Sequence, residues 1–131
     1  MSASVPLVEA IGLSKQYRLP REHLFAPGAL VQALDDVHFT LHAGTTLGIV
    51  GESGSGKSTL ARLVMALEAP SAGRVLFEGR DLHALGTEAL RRARRDFQIV
   101  FQDPFSSLDP RMTIARTVAE PLLRNYMFAL Q

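Results

Sequence analysis

Polar and apolar positions alternate along two stretches before residue 42. Over residues 7–17, Leu7, Glu9, Ile11 and Leu13 fall on one side, with Glu9 the exception on an otherwise apolar face. Over residues 31–41, Val37, Phe39 and Leu41 alternate with His38, Thr40 and His42. A period of two predicts two half-buried strands. Residues 19–30 between them hold Pro20, Pro27 and Gly28 and read as an irregular loop. After a turn at Ala43 and Gly44 the pattern changes. Residues 45–50 are a short run expected to form a buried strand, and residues 60–67 continue as a helix.

Residues 69–73 are a break, and residues 74–78 are a further short strand closed by Gly79. A helix is predicted over residues 87–96 with Thr87 as its N-cap, followed by a strand over residues 97–101. A polar, proline-broken segment spans residues 102–111. Thr113 is positioned to cap a last helix through Leu122, whose end Pro121 should disturb. Strands first, then a β-loop-α unit, then more β and α: the order predicts an α/β layer protein.

Composition narrows the class. The 131 residues are 47% hydrophobic and 21% charged, values of a globular chain long enough to bury a core. A net charge of +1 offers no field for nucleic acid or an anionic membrane. The absence of cysteine excludes disulfides, thiolate metal sites and a cysteine nucleophile. No apolar run reaches the ~18 residues of a membrane span, and residues 1–6 lack the pattern of an export signal. The expectation is a soluble, cytoplasmic domain with no transmembrane segment of its own. Arg91, Arg92, Arg94 and Arg95 read as a solvated helix face, and His23, His38, His42 and His83 as surface residues without metal-ligand spacing.

The candidate chemistry lies between the apolar run and the helix. Gly51-Glu52-Ser53-Gly54-Ser55-Gly56-Lys57-Ser58-Thr59 meets the phosphate-loop pattern G-x-x-x-x-G-K-[ST] at Gly51, Gly56, Lys57 and Ser58. A triphosphate concentrates negative charge, so a site for it needs many donors without steric bulk. Gly54 and Gly56 carry no Cβ and allow close backbone approach. Amides from Gly54 to Thr59, with Ser53 and Ser55 in the loop, would form an anion nest at a helix N-terminus. Lys57 would reach the β- and γ-phosphates, the Ser58 hydroxyl would ligate Mg²⁺, and Thr59 would donate at the α-phosphate side. The expected ligands of the loop are a nucleoside triphosphate and Mg²⁺.

Three further features accompany the loop. Tyr17 ends the first predicted strand, Gln102 directly follows the strand over residues 97–101, and Asp103-Pro104-Phe105-Ser106-Ser107-Leu108-Asp109-Pro110-Arg111 comes next. With Ile99-Val100-Phe101-Gln102 this run resembles the Q-loop of ABC transporter ATP-binding subunits, and most closely the oligopeptide and dipeptide importer branch. The resemblance runs from about Leu7 to Leu122. It implies the N-terminal core of an ABC-type P-loop NTPase, with an antiparallel β subdomain and an incomplete parallel sheet. Residues 1–131 would be a partial nucleotide-binding domain, with its Walker A loop at 51–59, its Q-loop around Gln102 and a non-matching tail over residues 123–131.

The resemblance also implies roles. Tyr17 would stack on adenine, and Gln102 would contact Mg²⁺ and the attacking water, the one candidate for a catalytic position. Residues 105–111 would meet a membrane-spanning permease subunit. A second ATP-binding subunit and a place on the inner face of the cell membrane follow by the same implication.

The family's signature motif, its Walker B Asp with the following catalytic Glu, and its switch His do not occur in the 131 residues. The chain is therefore expected to be a fragment, a frameshift or a premature-stop product. Without a carboxylate to orient water, ATP turnover is expected to be very slow, and an alternative reading is a non-catalytic nucleotide-binding or interaction remnant. A GTPase is disfavoured by the lack of an Asn-Lys-x-Asp motif. In the family, later strands flank the P-loop strand, so its edge is expected to be open and apolar here and to promote self-association.

Overall fold

A computed structural model describes residues 5–19, 28–100, 102–103 and 108–127, the last five by backbone alone. The chain divides into two compact units, Met1–Gln98 and Ile99–Gln131. The loop expected at residues 19–30, the end of the strand expected at Phe101, and Pro104 to Ser107 fall wholly or largely outside the described residues, as does His23.

In the first unit, β1 (Val8–Arg18) and β2 (Leu30–Leu41) pair antiparallel, and β3 (Ala72–Phe77) pairs antiparallel with the other edge of β1. A two-residue β4 (Arg80–Asp81) completes the order β2-β1-β3-β4. Helix α1 (Lys57–Val64) follows the phosphate loop; a 3₁₀ turn (Leu82–Ala84) and α2 (Thr87–Ala93) follow β4. The core gathers Leu13, Leu34, Leu60, Leu63, Val75 and Leu82, among others, and Phe77 meets Phe97 edge to face at 5.4 Å.

The alternation expected in β1 breaks at Gly12. Ala10 (2% exposed) and Leu13 (0%) are the buried pair, three residues apart, instead of the set Glu9, Ile11, Leu13. The cause is a β-bulge: register shifts fall between Ala10 and Leu13 on the β2 side and between Ile11 and Ser14 on the β3 side. Gly12 takes a left-handed φ of 59°. An extra residue absorbed in the bulge moves everything before it to the opposite face, which keeps Glu9 off the core. Side chains supply bonds where the ladder is broken. The Gly12 N–H donates to His38 Nδ1 (3.3 Å) and the Asp36 N–H to Ser14 Oγ (2.9 Å). With Nδ1 accepting, the His38 proton sits on Nε2 and faces Asp36 Oδ1 at 2.9 Å.

Two of the expected strands are not strands. Residues 45–50 and 97–100 form no ladder among the described residues. A strand exists through its neighbour's hydrogen bonds, and no described strand lies alongside either segment. Leu47, Ile49 and Val50 are exposed, Val50 by 94%, and Val100 by 96%. The phosphate-loop segment therefore exposes apolar side chains, but without a ladder it has no strand edge of the kind expected. Smaller departures have local causes. Gly86, with extended backbone, is the N-cap of α2 and Thr87 its first helical residue. Arg94 is drawn off the solvated face to the Ala66 carbonyl at the end of α1. His83 is likewise not a free surface residue, since its Nε2 lies 3.0 Å from the Leu63 carbonyl.

In the second unit, α3 (Ile114–Met127) runs through Pro121 instead of ending near it. Thr113 caps its start, its Oγ1 accepting from the Arg116 N–H at 3.3 Å. A largely apolar groove of about 410 Å³ is lined by Leu108, Pro110, Met112, Ile114 and Val118, with Asp109 and Thr117 as its polar members.

Candidate nucleotide-binding site

The phosphate loop is shaped by its glycines. Gly54 and Gly56 take left-handed φ values of 81° and 78°, and Gly56 is the N-cap of α1. A Cβ on Gly56 would sit 2.2 Å from the Ala33 carbonyl oxygen and 3.1 Å from Leu34 Cδ2. Glycine thus lets the loop lie directly on β2. The turn at Ser53 and Gly54 is closed by the Ser55 N–H donating to the Glu52 carbonyl at 3.1 Å. No side chain caps α1. Its first-turn amides, which have no intrahelical acceptor, remain as donors at the positive end of the helix.

Lys57 folds back over this loop. Its Nζ donates to the carbonyls of Gly51 (2.9 Å) and Glu52 (3.1 Å). Both are neutral acceptors, so neither compensates its charge. Ser53, Ser55 and Ser58 lie at or near the surface, whereas Thr59 is 8% exposed beside Leu60. Backbone donors without Cβ atoms, an ammonium held by two carbonyls and an exposed hydroxyl make a set rich in donors. It fits a polyphosphate, and the Ser58 hydroxyl is a suitable hard-oxygen ligand for Mg²⁺.

A second constellation joins β1 to the far end of α1. The Tyr17 hydroxyl donates to Glu68 Oε2 at 2.9 Å. Lys15 Nζ pairs with Glu68 Oε1 at 2.9 Å and donates to the Ala69 carbonyl at 2.7 Å. Arg62 Nε lies 3.4 Å from Glu68 Oε2. The hydrogen bond from Lys15 is the largest influence on Glu68. With those of Tyr17 and Arg62 it holds the carboxyl below the usual carboxylate range, against desolvation. Arg62 is shifted upward, first by its hydrogen bond with Tyr17 and then by Glu68.

A carboxyl depressed on folding stabilises the fold fully above its unfolded value, about pH 4.3. That contribution is lost as pH falls through the lower folded value. Glu68→Gln is therefore expected to flatten the loss of stability between about pH 5 and 3. Urea midpoints of the two proteins across that range check this; parallel curves would contradict it.

Comparison with known proteins sets this geometry in a family. The family profile of ABC transporters matches residues 34–129. The chain belongs to the ABC transporter family. It is 47% identical over 120 residues to the dipeptide transport ATP-binding protein DppF of Escherichia coli, covering 92% of this chain and 36% of that protein. It is 44% identical to the oligopeptide transport ATP-binding protein OppF of Haemophilus influenzae, covering 88% and 35%. The ABC chain thus spans about a third of the length of these curated relatives. Among solved structures it is similar to the dimeric bacterial ABC transporter cassette MJ0796, with TM-score 0.70 and 28% identity over 88% of this chain and 47% of that one. It also resembles the same cassette in a post-hydrolysis state bound to ADP and Pi, with TM-score 0.69. The α/β, P-loop NTPase reading of the ABC chain stands on these likenesses.

The ABC chain places its expected residues unevenly. Gly51 to Thr59 and Tyr17 lie in the first unit, the loop at the start of α1 and Tyr17 tied to residues at and beyond its end. Gln102 belongs to the second unit, where it is exposed in a bend. Among the described residues no group of three or more His, Asp or Glu could hold a metal ion, and no helix is long and apolar enough to cross a membrane. Lys15, Arg62 and Glu68 were not singled out from sequence. Lys15 carried a signal, since it stands two residues before Tyr17 and so shares its face of a strand. Glu68 carried none, because it reaches Tyr17 across 51 residues of chain.

Proposed function

We propose that this chain binds Mg-ATP as part of the ATP-binding subunit of a peptide importer. The observation that carries the reading is the phosphate loop: two left-handed glycines, a helix start without a side-chain cap and an ammonium held by two carbonyls. Identity of 44–47% to dipeptide and oligopeptide transport ATP-binding proteins, over about nine tenths of the chain, supports peptide as the transported class.

In this reading the amides from Gly54 to Thr59, with Ser53 and Ser55, surround the phosphates. Lys57 exchanges its two carbonyl acceptors for phosphate oxygens, and Ser58 holds Mg²⁺. Tyr17 carries the adenine. Gln102 is assigned to the metal and the water that attacks the γ-phosphate. Mg-ATP supplies the free energy of a cleavable phosphoanhydride; the chain's own part is to bind and orient. Partners would be membrane-spanning permease subunits and a second ATP-binding subunit, which would hold the chain at the inner face of the membrane. The apolar groove beside Leu108 and Val118 is a surface suited to such a partner.

Calorimetric titration of the full chain with ATP, with and without Mg²⁺, tests the reading. Binding is expected, tighter with Mg²⁺, and Ser58→Ala is expected to abolish most of the Mg²⁺ dependence while retaining ATP. Absence of binding in both conditions would overturn it.

A further inference from the structure

The ring of Tyr17 is held at both ends. Its Cβ is fixed in β1, and its hydroxyl is bonded to Glu68 Oε2 at 2.9 Å. Pinned in this way, the side chain keeps only rotation about the Cβ–hydroxyl axis. Lys15 restricts that rotation, because its Nζ lies over one face of the ring, 5.2 Å from the centroid. The ammonium is itself fixed by Glu68 Oε1 and the Ala69 carbonyl. Glu68 is therefore the junction of the cluster: one oxygen sets the phenol, and the other sets the cation that sets the plane of the ring. Arg62, in the last turn of α1, approaches the same carboxylate at 3.4 Å. It lies about 8 Å along the helix axis from Lys57. The ring and the phosphate loop are thus referenced to one short helix. Tyr17 remains only half-buried, so ring surface is left for a ligand.

We propose that Glu68 is the positioning residue of the base-binding platform, fixing the plane of Tyr17 so that one face stays covered by Lys15 and the other is presented to the adenine ring. The inference rests on the reading of Tyr17 as the adenine platform. Aromatic stacking depends on a flat face held in register with its partner, and a ring that must first be ordered binds a base less tightly. The alternative role for Glu68 is a structural tie between β1 and α1, which would affect every ligand of the domain alike.

The two are separated by comparing ATP with inorganic tripolyphosphate, which engages the phosphate loop but has no base. Calorimetric titrations would use the full chain and its Tyr17→Ala, Tyr17→Phe, Glu68→Ala and Glu68→Gln variants. Tyr17→Ala is expected to weaken ATP by roughly 5-fold or more and leave tripolyphosphate unchanged. Glu68→Ala is expected to weaken ATP by about 3- to 10-fold, again without changing tripolyphosphate, and to have no further effect once Tyr17 is alanine. Glu68→Gln, which keeps an acceptor for the phenol but not the charge for Lys15, should fall between. Equal weakening of both ligands by Glu68→Ala would overturn the proposal in favour of the structural tie. A Tyr17→Ala effect without a Glu68 effect would overturn it while leaving Tyr17 as the platform. No Tyr17→Ala effect would remove the underlying reading and the proposal together. Should Glu68→Ala not fold, Glu68→Gln and Tyr17→Phe carry the same comparison: ATP weakened selectively supports the proposal, and any other pattern overturns it.

Discussion

Replacing Lys57 by alanine is expected to weaken ATP binding by about 10- to 150-fold while leaving the thermal unfolding of the chain essentially unchanged. The magnitude follows from losing a charge-assisted hydrogen bond, about 1.5–3 kcal/mol. The asymmetry between binding and stability follows from what Lys57 does in the absence of ligand. Its ammonium is exposed and donates to the carbonyls of Gly51 and Glu52, groups that water can solvate instead. Phosphate oxygens would replace neutral acceptors with charged ones, and only that difference is lost in the variant. Parallel ATP titration and calorimetric melting measure both quantities. Equal affinity in the two proteins would show that the loop's amides alone hold the phosphates.

Gly73→Ala is expected to produce the largest loss of stability of the Gly→Ala changes in this chain. Gly73 takes a φ of 80° in β3, directly opposite the bulge of β1. A Cβ there would lie 2.2 Å from the Gly12 carbonyl oxygen, 2.4 Å from the Gly12 carbonyl carbon and 2.6 Å from the Ile11 carbonyl oxygen. All three are backbone atoms, so no side chain can turn aside to relieve the contact. The left-handed backbone costs alanine about 1–2 kcal/mol. Overpacking costs about 1–3 kcal/mol more, giving about 2–5 kcal/mol in all. Domain stabilities are about 5–15 kcal/mol, so a large part of the total would be lost. Urea unfolding followed by circular dichroism measures it. Gly48→Ala is the matched control, since a Cβ there meets nothing within 4 Å. Similar midpoints for the two variants would contradict the close approach of β1 and β3.

The glycines also mark how far the fold and the site could be read from the residues. The phosphate loop was legible because its chemistry is local: Gly51, Gly56, Lys57 and Ser58 are positioned by their own backbone and by the helix they open. The edge strand β2 was legible for a similar reason, since Val37, Phe39 and Leu41 alternate without interruption. The bulge was not. Nothing distinguishes Gly12 from an ordinary strand glycine until its neighbours on β2 and β3 are known, so Leu13 is read correctly while the positions of β1 before Gly12 are one residue out of phase. Residues 45–50 and 97–100 have the composition of strands. Composition alone makes no ladder, and their apolar side chains stand exposed. The carboxylate that organises Tyr17 was invisible for a different reason. A lone Glu before a proline break has no pattern, and its meaning comes from Lys15 and Tyr17 half a chain away.

Because the bulge absorbs one residue of the pleat, β1 can change length at Gly12 with less consequence than elsewhere along it. Removing Gly12 would leave Ala10 and Leu13 two positions apart, both still facing inward in a regular strand. Removing a residue between Leu13 and the end of the strand would invert every position before it. Homologous strands are therefore expected to differ by single-residue gaps at this point, conserving parity where they do not conserve length.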